Sequence, residues 1–316
     1  MKLTNPELIV KRSYKEVYKD GDKIVKIFEK DHPKSAVFNE ALNTVRVEEA
    51  GLDIPKLDEV TQIDEKWALV IECQAGETLE TVMEKDPDNL EKYMAEFVDL
   101  QLQIHAKTAP MLTKLKDKLA KQINQLKELD ATQRYELLVR LESMPKHTKV
   151  CHGDFNPSNV IVGEDGKLTV VDWAHVTQGN ASADAALTYL QFALKNRVAA
   201  EMYLTMFCKK SDTAKQYVQQ WFPIVAAAQL EKNNELEKHV PVYTVDKQHV
   251  HVVVGETKHP MLEAHFIEWI TLNTNQGIYR KQLNPGQEPV ADFSLCDGEQ
   301  VEEVYAYCNL HGLWKC

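Results

Sequence analysis

The sequence predicts two domains of different fold class, an α+β two-lobed domain followed by an all-β domain. Residues 1–236 mix short β-type segments with long stretches of helical periodicity. Residues 237–316 consist of short β-type segments with turns about every 8–12 residues, a pattern typical of a small β-sandwich. Histidines are concentrated there too, because six of the eleven fall in the last 78 residues. At 316 residues the chain is long enough for two separate cores.

The first lobe, residues 1–75, is predicted to be rich in β-structure. An amphipathic helix over residues 35–50 is expected to end at Gly51, with Pro55 preventing its continuation. Apolar and β-branched residues between turn signals predict the strands that surround this helix. The strands are expected over residues 7–11, 16–19, 23–28, 56–63 and 67–72.

The second lobe, residues 76–236, is predicted to be mostly helical. Asp88 is expected to cap a helix whose apolar residues, from Leu90 to Ile104, recur at helical spacing. Residues 111–142 and the stretch after Asp184 also have helical patterns, and short strands are expected between them.

The chemistry of the first domain is concentrated around one loop of the second lobe. His152, Asp154 and Asn159 follow the H-x-D-x-x-x-x-N spacing of a kinase catalytic loop, and Asp172 ends a later apolar strand. Phosphoryl transfer needs a carboxylate that orients and deprotonates the attacking hydroxyl, and this role falls to Asp154. It also needs oxygen ligands for Mg²⁺, which Asn159 and Asp172 can supply. We therefore predict an α+β protein kinase-like two-lobed fold.

The amino-acid sequence of this loop makes the predicted fold more specific. His152-Gly-Asp-Phe-Asn-Pro-Ser-Asn159 and Val171-Asp-Trp173 resemble the aminoglycoside phosphotransferase and choline kinase superfamily, and the resemblance extends over residues 8–235. It implies ATP and Mg²⁺ as cofactors and a small hydroxyl compound as substrate.

The same resemblance implies cofactor-binding roles for residues upstream of the loop. Lys26 matches the strand lysine that contacts the α- and β-phosphates, and Glu40 matches its ion-pair partner. The backbone groups of Glu72 and Gln74 match the hinge that meets adenine. The loop over residues 11–16 matches the phosphate-covering loop, but it departs from the glycine-rich pattern because it contains no glycine.

The second domain carries a mixed set of nitrogen and sulfur donors. Four imidazoles and one thiolate form a borderline-soft set that suits iron or zinc. A structural zinc site usually has four ligands with paired cysteines. Five donors with a single sulfur instead point to square-pyramidal iron, with four histidines in the plane, an axial cysteine and an open sixth position. The donors are His239, His259, His265, Cys308 and His311.

The sequence motifs around these donors resemble those of superoxide reductase, which is the iron domain of desulfoferrodoxin and neelaredoxin. The matching motifs are Glu237-Lys-His-Val-Pro241, His259-Pro-Met-Leu-Glu-Ala-His265 and Tyr307-Cys-Asn-Leu-His311, and the resemblance spans residues 237–316. It implies a non-haem Fe(II)/Fe(III) centre on an all-β immunoglobulin-like sandwich. Superoxide is the implied substrate, hydrogen peroxide the product and a rubredoxin-like protein the electron donor.

Two further residues take catalytic roles by this resemblance. Glu237 matches the glutamate that closes onto the ferric iron, and Lys238 matches the family's loop lysine. Residues 239–316 contain five Lys and Arg against ten Asp and Glu, so a cation beside the iron is needed to attract superoxide.

Two other interpretations stay open at this stage. The histidines and Cys308 could hold zinc, so that the second domain is a binding module and the kinase-like domain is the only enzyme. Alternatively, the iron domain could sense the redox state and regulate the kinase-like domain.

Composition limits the partners of this chain. The net charge of −11 argues against a nucleic-acid partner, which would require clustered Lys and Arg. Residues 1–13 have no apolar signal core, and no apolar run approaches the roughly 18 residues of a spanning helix. The six cysteines are scattered without a C-x-x-C pair. We therefore expect a cytoplasmic protein with no membrane or nucleic-acid partner.

Overall fold

The computed structural model describes residues 3–12, 14–126, 129–234, 240–255, 259, 261, 266–309 and 312–315. The chain divides into two compact units, residues 1–228 and 229–316. The domain boundary predicted between residues 236 and 237 lies outside the described residues and stays a prediction. None of the described helices is both long and apolar enough to cross a membrane.

The first lobe follows the predicted order of strands and helix. Its described elements are β1 (Glu7–Lys11), β2 (Lys15–Asp20), β3 (Lys23–Phe28), α1 (Lys34–Glu49), β4 (Leu57–Ile63) and β5 (Lys66–Glu72). The strands form an antiparallel sheet in the order β1-β2-β3-β5-β4. Helix α1 ends as predicted, because Gly51 has a φ of 77° and its amide donates to the carbonyl of Glu48 at 2.8 Å.

Strand β3 separates two small apolar clusters, and this sets the direction of Lys26. Val25 and Ile27 pack in the cluster on one face of the sheet. Phe28 packs on the other face with Val37 of α1. Because side chains alternate along a strand, Lys26 shares the face of Phe28 and points towards α1.

The second lobe is mainly helical, as predicted. Its described elements are β6 (Glu77–Thr78), α2 (Leu79–Lys85), α3 (Leu90–His105), α4 (Leu115–Gln125), α5 (Ala131–Ser143), β7 (Lys149–Cys151), β8 (Val160–Val162), β9 (Leu168–Val170), β10 (Thr177–Gly179), α6 (Ala181–Ala193), α7 (Arg197–Ser211), α8 (Lys215–Gln219) and α9 (Phe222–Asn234). The short strands pair as β6-β8-β9 and β10-β7. Large side chains fill the core between the helices, including Phe97, Phe155, Tyr203 and Trp221.

The predicted cap of the third helix is wrong. Asp88 lies inside a short 3-10 turn, Pro87–Asn89, and α3 begins after Asn89 without a side-chain capping bond. Pro87 favours this turn because its fixed φ suits the first position of a helical turn.

The second unit is β-rich. Its described strands are β11 (Pro241–Asp246), β12 (His249–Val254), β13 (Ile267–Thr274), β14 (Ile278–Gln282), β15 (Val290–Ser294), β16 (Val301–Cys308) and β17 (Gly312–Lys315), of which β17 was not predicted. They form antiparallel sheets in the orders β11-β12-β15 and β14-β13-β16-β17. Both sheets contribute to one apolar core, which includes Val252, Ile270 and Val304. The finer expectation of an immunoglobulin-like sandwich stays a prediction.

Strand β12 illustrates the alternation that builds this unit. Val250 and Val252 are fully buried, whereas His249 and His251 are exposed and contact Asp292 of β15. The two histidines therefore lie on the outer face of their sheet, as the strand pattern predicts.

Candidate functional site

Lys26 of β3 joins two carboxylates inside the first unit. Its Nζ lies 2.6 Å from Oε1 of Glu40 on α1 and 2.7 Å from Oδ1 of Asp172. Burial by itself lowers the pKa of Lys26, but the charges of Asp172 and Glu40 outweigh burial and hold that pKa above its ordinary value. The lysine is therefore a fixed cation bonded to both carboxylates.

Asp172 follows β9 in an uncommon backbone conformation. Its φ of 61° and ψ of 66° are left-handed, which is rare for a residue other than glycine and is often found at functional sites. Burial favours the neutral acid, but Lys26 and Lys15 outweigh it, so the pKa of Asp172 is well below its usual range. Asp172 is thus a carboxylate at neutral pH, and a hard oxygen donor of this kind can hold Mg²⁺.

The β8-β9 hairpin brings Asn159 next to the strand that carries Asp172. Val160 pairs with Val170, and the amide of Val171 donates to the carbonyl of Asn159 at 2.9 Å. The side-chain nitrogen of Asn159 donates to the carboxylate of Asp154 at 3.1 Å and to its carbonyl at 2.9 Å. Its side-chain oxygen is the atom left to bind a cation.

Two amides hold the carboxylate of Asp154. Nε2 of Gln191 donates to one of its oxygens at 2.5 Å, and Nδ2 of Asn159 donates to the other. Sequence reasoning missed Gln191, which belongs to no motif. Its one signal is its position on α6, seven residues after Asp184, because residues seven apart lie on the same helix face.

Asp184 holds the loop that carries Asp154 in place. Its buried carboxylate accepts the amides of His152 at 3.2 Å and Gly153 at 2.8 Å, and it contacts Nε2 of His105 at 2.9 Å. Burial would raise the pKa of Asp184, but the bond and charge of His105 lower it further than burial raises it. Gly153 has a φ of 76°, and a Cβ there would lie 2.5 Å from the carbonyl oxygen of His175.

His152 is held in one neutral tautomer. The amide of Asp154 donates to Nδ1 at 3.2 Å, so Nδ1 is an acceptor and the proton lies on Nε2. Nε2 then donates to the carbonyl of Val171 at 3.1 Å. Burial lowers the pKa of His152 by more than the charges of Asp184 and Asp154 raise it, in agreement with this arrangement. His152 therefore connects the loop that carries Asp154 to the strand before Asp172.

The predicted hinge follows β5. The amide of Glu72 already donates to the carbonyl of Lys56 at 2.9 Å, and that of Cys73 donates to Asp22 at 2.9 Å. The amide of Gln74 has no acceptor among the described residues. At the hinge, the backbone amide of Gln74 is therefore available to donate a hydrogen bond to adenine, whereas Glu72 could contribute only its carbonyl.

Two of the seven predicted site residues in the second unit are described. His259 is 1% exposed and Cys308 is 0% exposed. Across the described residues, no group of three or more His, Cys, Asp or Glu side chains is placed to hold a metal. The residues that lie outside the described part are Glu237, Lys238, His239, His265 and His311.

Cys308 ends β16 between two neighbouring strands. It pairs with Ile267 of β13 and with Gly312 of β17. The amide of Asn309 donates to the carbonyl of Phe266 at 3.1 Å, and the amide of Phe266 donates to the side chain of Asn309 at 2.9 Å. A thiol and an imidazole kept from water are donors that iron and zinc prefer, so the described part of the set fits such a metal.

Comparison with known proteins identifies both parts of the chain. The model of the phosphotransferase enzyme family matches residues 11–217, about two thirds of the sequence. The chain belongs to the phosphotransferase enzyme family. The crystal structure of aminoglycoside phosphotransferase APH(4)-Ia has a TM-score of 0.56 and is 13% identical, covering 73% of this chain and 87% of that one. A likeness at this identity shows a shared kinase-like fold.

A desulfoferrodoxin domain follows the phosphotransferase domain. The desulfoferrodoxin family model matches residues 231–316. A desulfoferrodoxin homolog of Archaeoglobus fulgidus is 48% identical over 79 residues, which are 25% of this chain and 62% of the relative. A superoxide reductase of Thermococcus kodakarensis is 35% identical over 97 residues, covering 25% of this chain and 84% of the relative. The chain spans about three fifths of the length of the desulfoferrodoxins that it matches.

The phosphotransferase domain brings its predicted residues together in two groups. Lys26, Glu40 and Asp172 form one, and Asp154 and Asn159 form the other. The groups flank the β8-β9 hairpin, as the order of the motifs predicts. The sequence did not reveal the two side-chain amides that donate to the Asp154 carboxylate, or the burial of Lys15.

Proposed function

We propose that the phosphotransferase domain transfers the γ-phosphoryl group of Mg²⁺-bound ATP to the hydroxyl of a small molecule. The observation that carries this proposal is the contact of Lys26 with both Glu40 and Asp172. Protein kinases need a strand lysine paired with a helix glutamate, and a magnesium-binding aspartate beside them. The contacts of Lys26 with Glu40 and Asp172 support both parts of this arrangement.

The neighbouring residues take complementary roles in this reaction. Lys26 binds the α- and β-phosphates, and the oxygens of Asp172 and Asn159 hold Mg²⁺. Asp154 accepts the proton of the acceptor's hydroxyl. The oxygen of that hydroxyl bonds to the γ-phosphorus as the bond between the γ-phosphorus and ADP breaks. At the hinge, the amide of Gln74 and the carbonyl of Glu72 meet adenine.

Turnover with a panel of acceptors tests this function. The full-length chain is incubated with Mg²⁺ and ATP and a set of small alcohols and amino sugars, and ADP formation is followed. We expect acceptor-dependent ADP with at least one compound. Asp154→Asn should lower kcat by about 100-fold or more while Mg²⁺-ATP still binds. Equal turnover by wild type and Asp154→Asn would contradict the role of this carboxylate.

We propose that the desulfoferrodoxin domain is a superoxide reductase. It would hold one non-haem iron on an immunoglobulin-like sandwich, and the buried His259 and Cys308 support this ligand set. The similarity to a superoxide reductase of Thermococcus kodakarensis supports the reaction. When bound, iron would supply one electron to superoxide, and a rubredoxin-like donor would replace that electron. The proposed ligands are His239, His259, His265, Cys308 and His311.

The protein residues around the metal would steer the substrate and tune the centre. Superoxide is an anion, and Lys238 would attract it in a domain with an excess of carboxylates. The Cys308 thiolate, buried beside apolar strands, would donate electron density to the metal. Glu237 would bind the ferric iron after turnover.

The yield of peroxide separates reduction from dismutation. Reduction consumes one superoxide, one electron and two protons for each hydrogen peroxide, whereas dismutation consumes two superoxides and releases dioxygen. With a reduced rubredoxin in excess, we expect one peroxide for each superoxide consumed and oxidation of one rubredoxin. A yield of half a peroxide, with dioxygen released and rubredoxin unchanged, would contradict the proposal.

A further inference from the structure

A second lysine points to the same side of the first-lobe sheet as Lys26. In the antiparallel pairing of β2 with β3, Val17 lies opposite Lys26 and Lys15 lies opposite Phe28. Opposed residues share a face, and residues two apart on a strand share a face. Lys15 and Lys26 therefore lie on one face of the sheet, the one turned towards α1.

Lys15 is a buried cation that lacks an anionic partner. The residue is 6% exposed. Within the described part of the chain, its Nζ makes no hydrogen bond or ion pair, and it lies 5.7 Å from the ring centroid of Tyr14 and 6.0 Å from that of Phe28. A buried charge is costly unless it is paired. The position is therefore unfavourable in the unliganded protein and suited to a bound anion.

The hairpin that carries Lys15 is held in place. The amide of Arg12 donates to the carbonyl of Lys15 at 2.9 Å, and the amide of Glu29 donates to the carbonyl of Tyr14 at 2.9 Å. The ring of Tyr14 also stacks on His32 with centroids 5.3 Å apart. These contacts fix Lys15 at the start of β2, next to a turn that has no glycine to bring backbone amides close to a phosphate.

The charges on this face leave Lys15 for a ligand. Lys26 already bonds to Glu40 and Asp172. Burial and the charge of Lys26 lower the pKa of Lys15, while Asp172 and Glu40 raise it, so Lys15 lies within electrostatic reach of this cluster. Mg²⁺ at Asp172 would add further positive charge, which a polyphosphate would balance.

We propose that Lys15 binds the phosphate chain of the nucleoside triphosphate and replaces the backbone donors of a glycine-rich loop. An ammonium group can donate charge-assisted hydrogen bonds to phosphate oxygens without the close backbone approach that glycine permits. The inference rests on the proposed phosphotransferase function and adds a specific phosphate ligand to it.

Calorimetric titration of the full-length chain tests this role. Mg²⁺-ATP and adenosine are titrated into wild type, Lys15→Met and Lys30→Met. Lys30 is a matched control because it lies in the same lobe, its side chain is 59% exposed and it pairs with Glu65. We expect Lys15→Met to weaken Mg²⁺-ATP binding by at least about tenfold with adenosine unchanged. Lys30→Met should change Mg²⁺-ATP binding by less than about threefold.

Three results would overturn the role of Lys15. They are unchanged Mg²⁺-ATP binding in Lys15→Met, an equal loss for ATP and adenosine, and an equal loss in Lys30→Met. A second readout needs no ligand, because removal of an unpaired buried charge should raise the melting temperature of the unliganded Lys15→Met chain. A lower melting temperature in Lys15→Met would contradict the statement that Lys15 lacks an anionic partner within the protein.

The titrations also separate this inference from the proposed function. If wild type binds Mg²⁺-ATP but transfers no phosphoryl group to any acceptor, the phosphotransferase proposal fails, and the titrations still decide the role of Lys15. If wild type binds no Mg²⁺-ATP, both fail.

Discussion

Lys26 and Asp172 are 146 residues apart in the sequence, and their side chains meet at 2.7 Å. Lys26 belongs to the sheet of the first lobe, and Asp172 follows a hairpin of the second. Because Lys26 also bonds to Glu40 at 2.6 Å, one buried cation joins a strand, a helix and the segment after the β8-β9 hairpin. The same contacts that position Lys26 therefore connect the two lobes.

Replacement of Lys26 should destabilise the first unit. Lys26→Met leaves the carboxylates of Glu40 and Asp172 side by side without their cation, and removal of one member of a buried ion pair costs about 3–5 kcal/mol. Urea denaturation measures the loss. Lys30→Met is the matched control, because Lys30 pairs with Glu65 on the surface and should cost less than about 1 kcal/mol. Similar losses in both variants would show that the buried cluster contributes little.

Gln191 should act as a positioning residue for Asp154. Gln191→Leu removes a hydrogen bond to the carboxylate, and a bond to a charged group is worth roughly 1.5–3 kcal/mol. We expect kcat to fall about tenfold to hundredfold with the KM for ATP unchanged. Gln191→Glu should move the acidic limb of the pH–rate profile upwards, because a second carboxylate disfavours ionisation of Asp154. An unmoved profile in Gln191→Glu would contradict this assignment.

His152 should make the first unit less stable in mild acid. Burial lowers its pKa below the ordinary value of 6.5, so just below that pH the unfolded chain binds a proton that the native state does not. Stability therefore falls as pH falls through this range, by up to about 1.4 kcal/mol per pH unit from this group. Unfolding free energies measured between about pH 5 and pH 7 should show a shallower slope in His152→Gln. The exposed His147→Gln variant should keep the wild-type slope, and an equal slope in His152→Gln would contradict the burial argument.

Motif spacing was sufficient to predict that Asp154 and Asn159 precede a short hairpin and that Asp172 follows it, because local sequence dictates a hairpin. It could not predict Gln191, since that contact depends on how α6 packs behind the loop. The burial of Lys15 was hidden for another reason. A lysine in a predicted loop is expected to be solvent-exposed, and the register of β2 with β3 shows that Lys15 points inwards.

The predicted iron ligands illustrate a different limit. Cys308 and His259 are buried, as a metal ligand set requires, and β16 and β17 place Cys308 at a strand end. Burial alone does not distinguish iron from zinc, because both metals accept imidazole and thiolate. The identity of the metal must therefore be determined from its electronic properties.

The visible absorption spectrum of the oxidised full-length chain tests the central claim that this phosphotransferase-family protein also carries an iron–thiolate redox centre. We expect a charge-transfer band in wild type that is lost in Cys308→Ser and retained in Cys296→Ser, whose thiol is exposed and outside the proposed ligand set. Zinc has a filled d shell and gives no such band. A colourless, zinc-loaded wild-type protein from iron-replete cells would contradict the account.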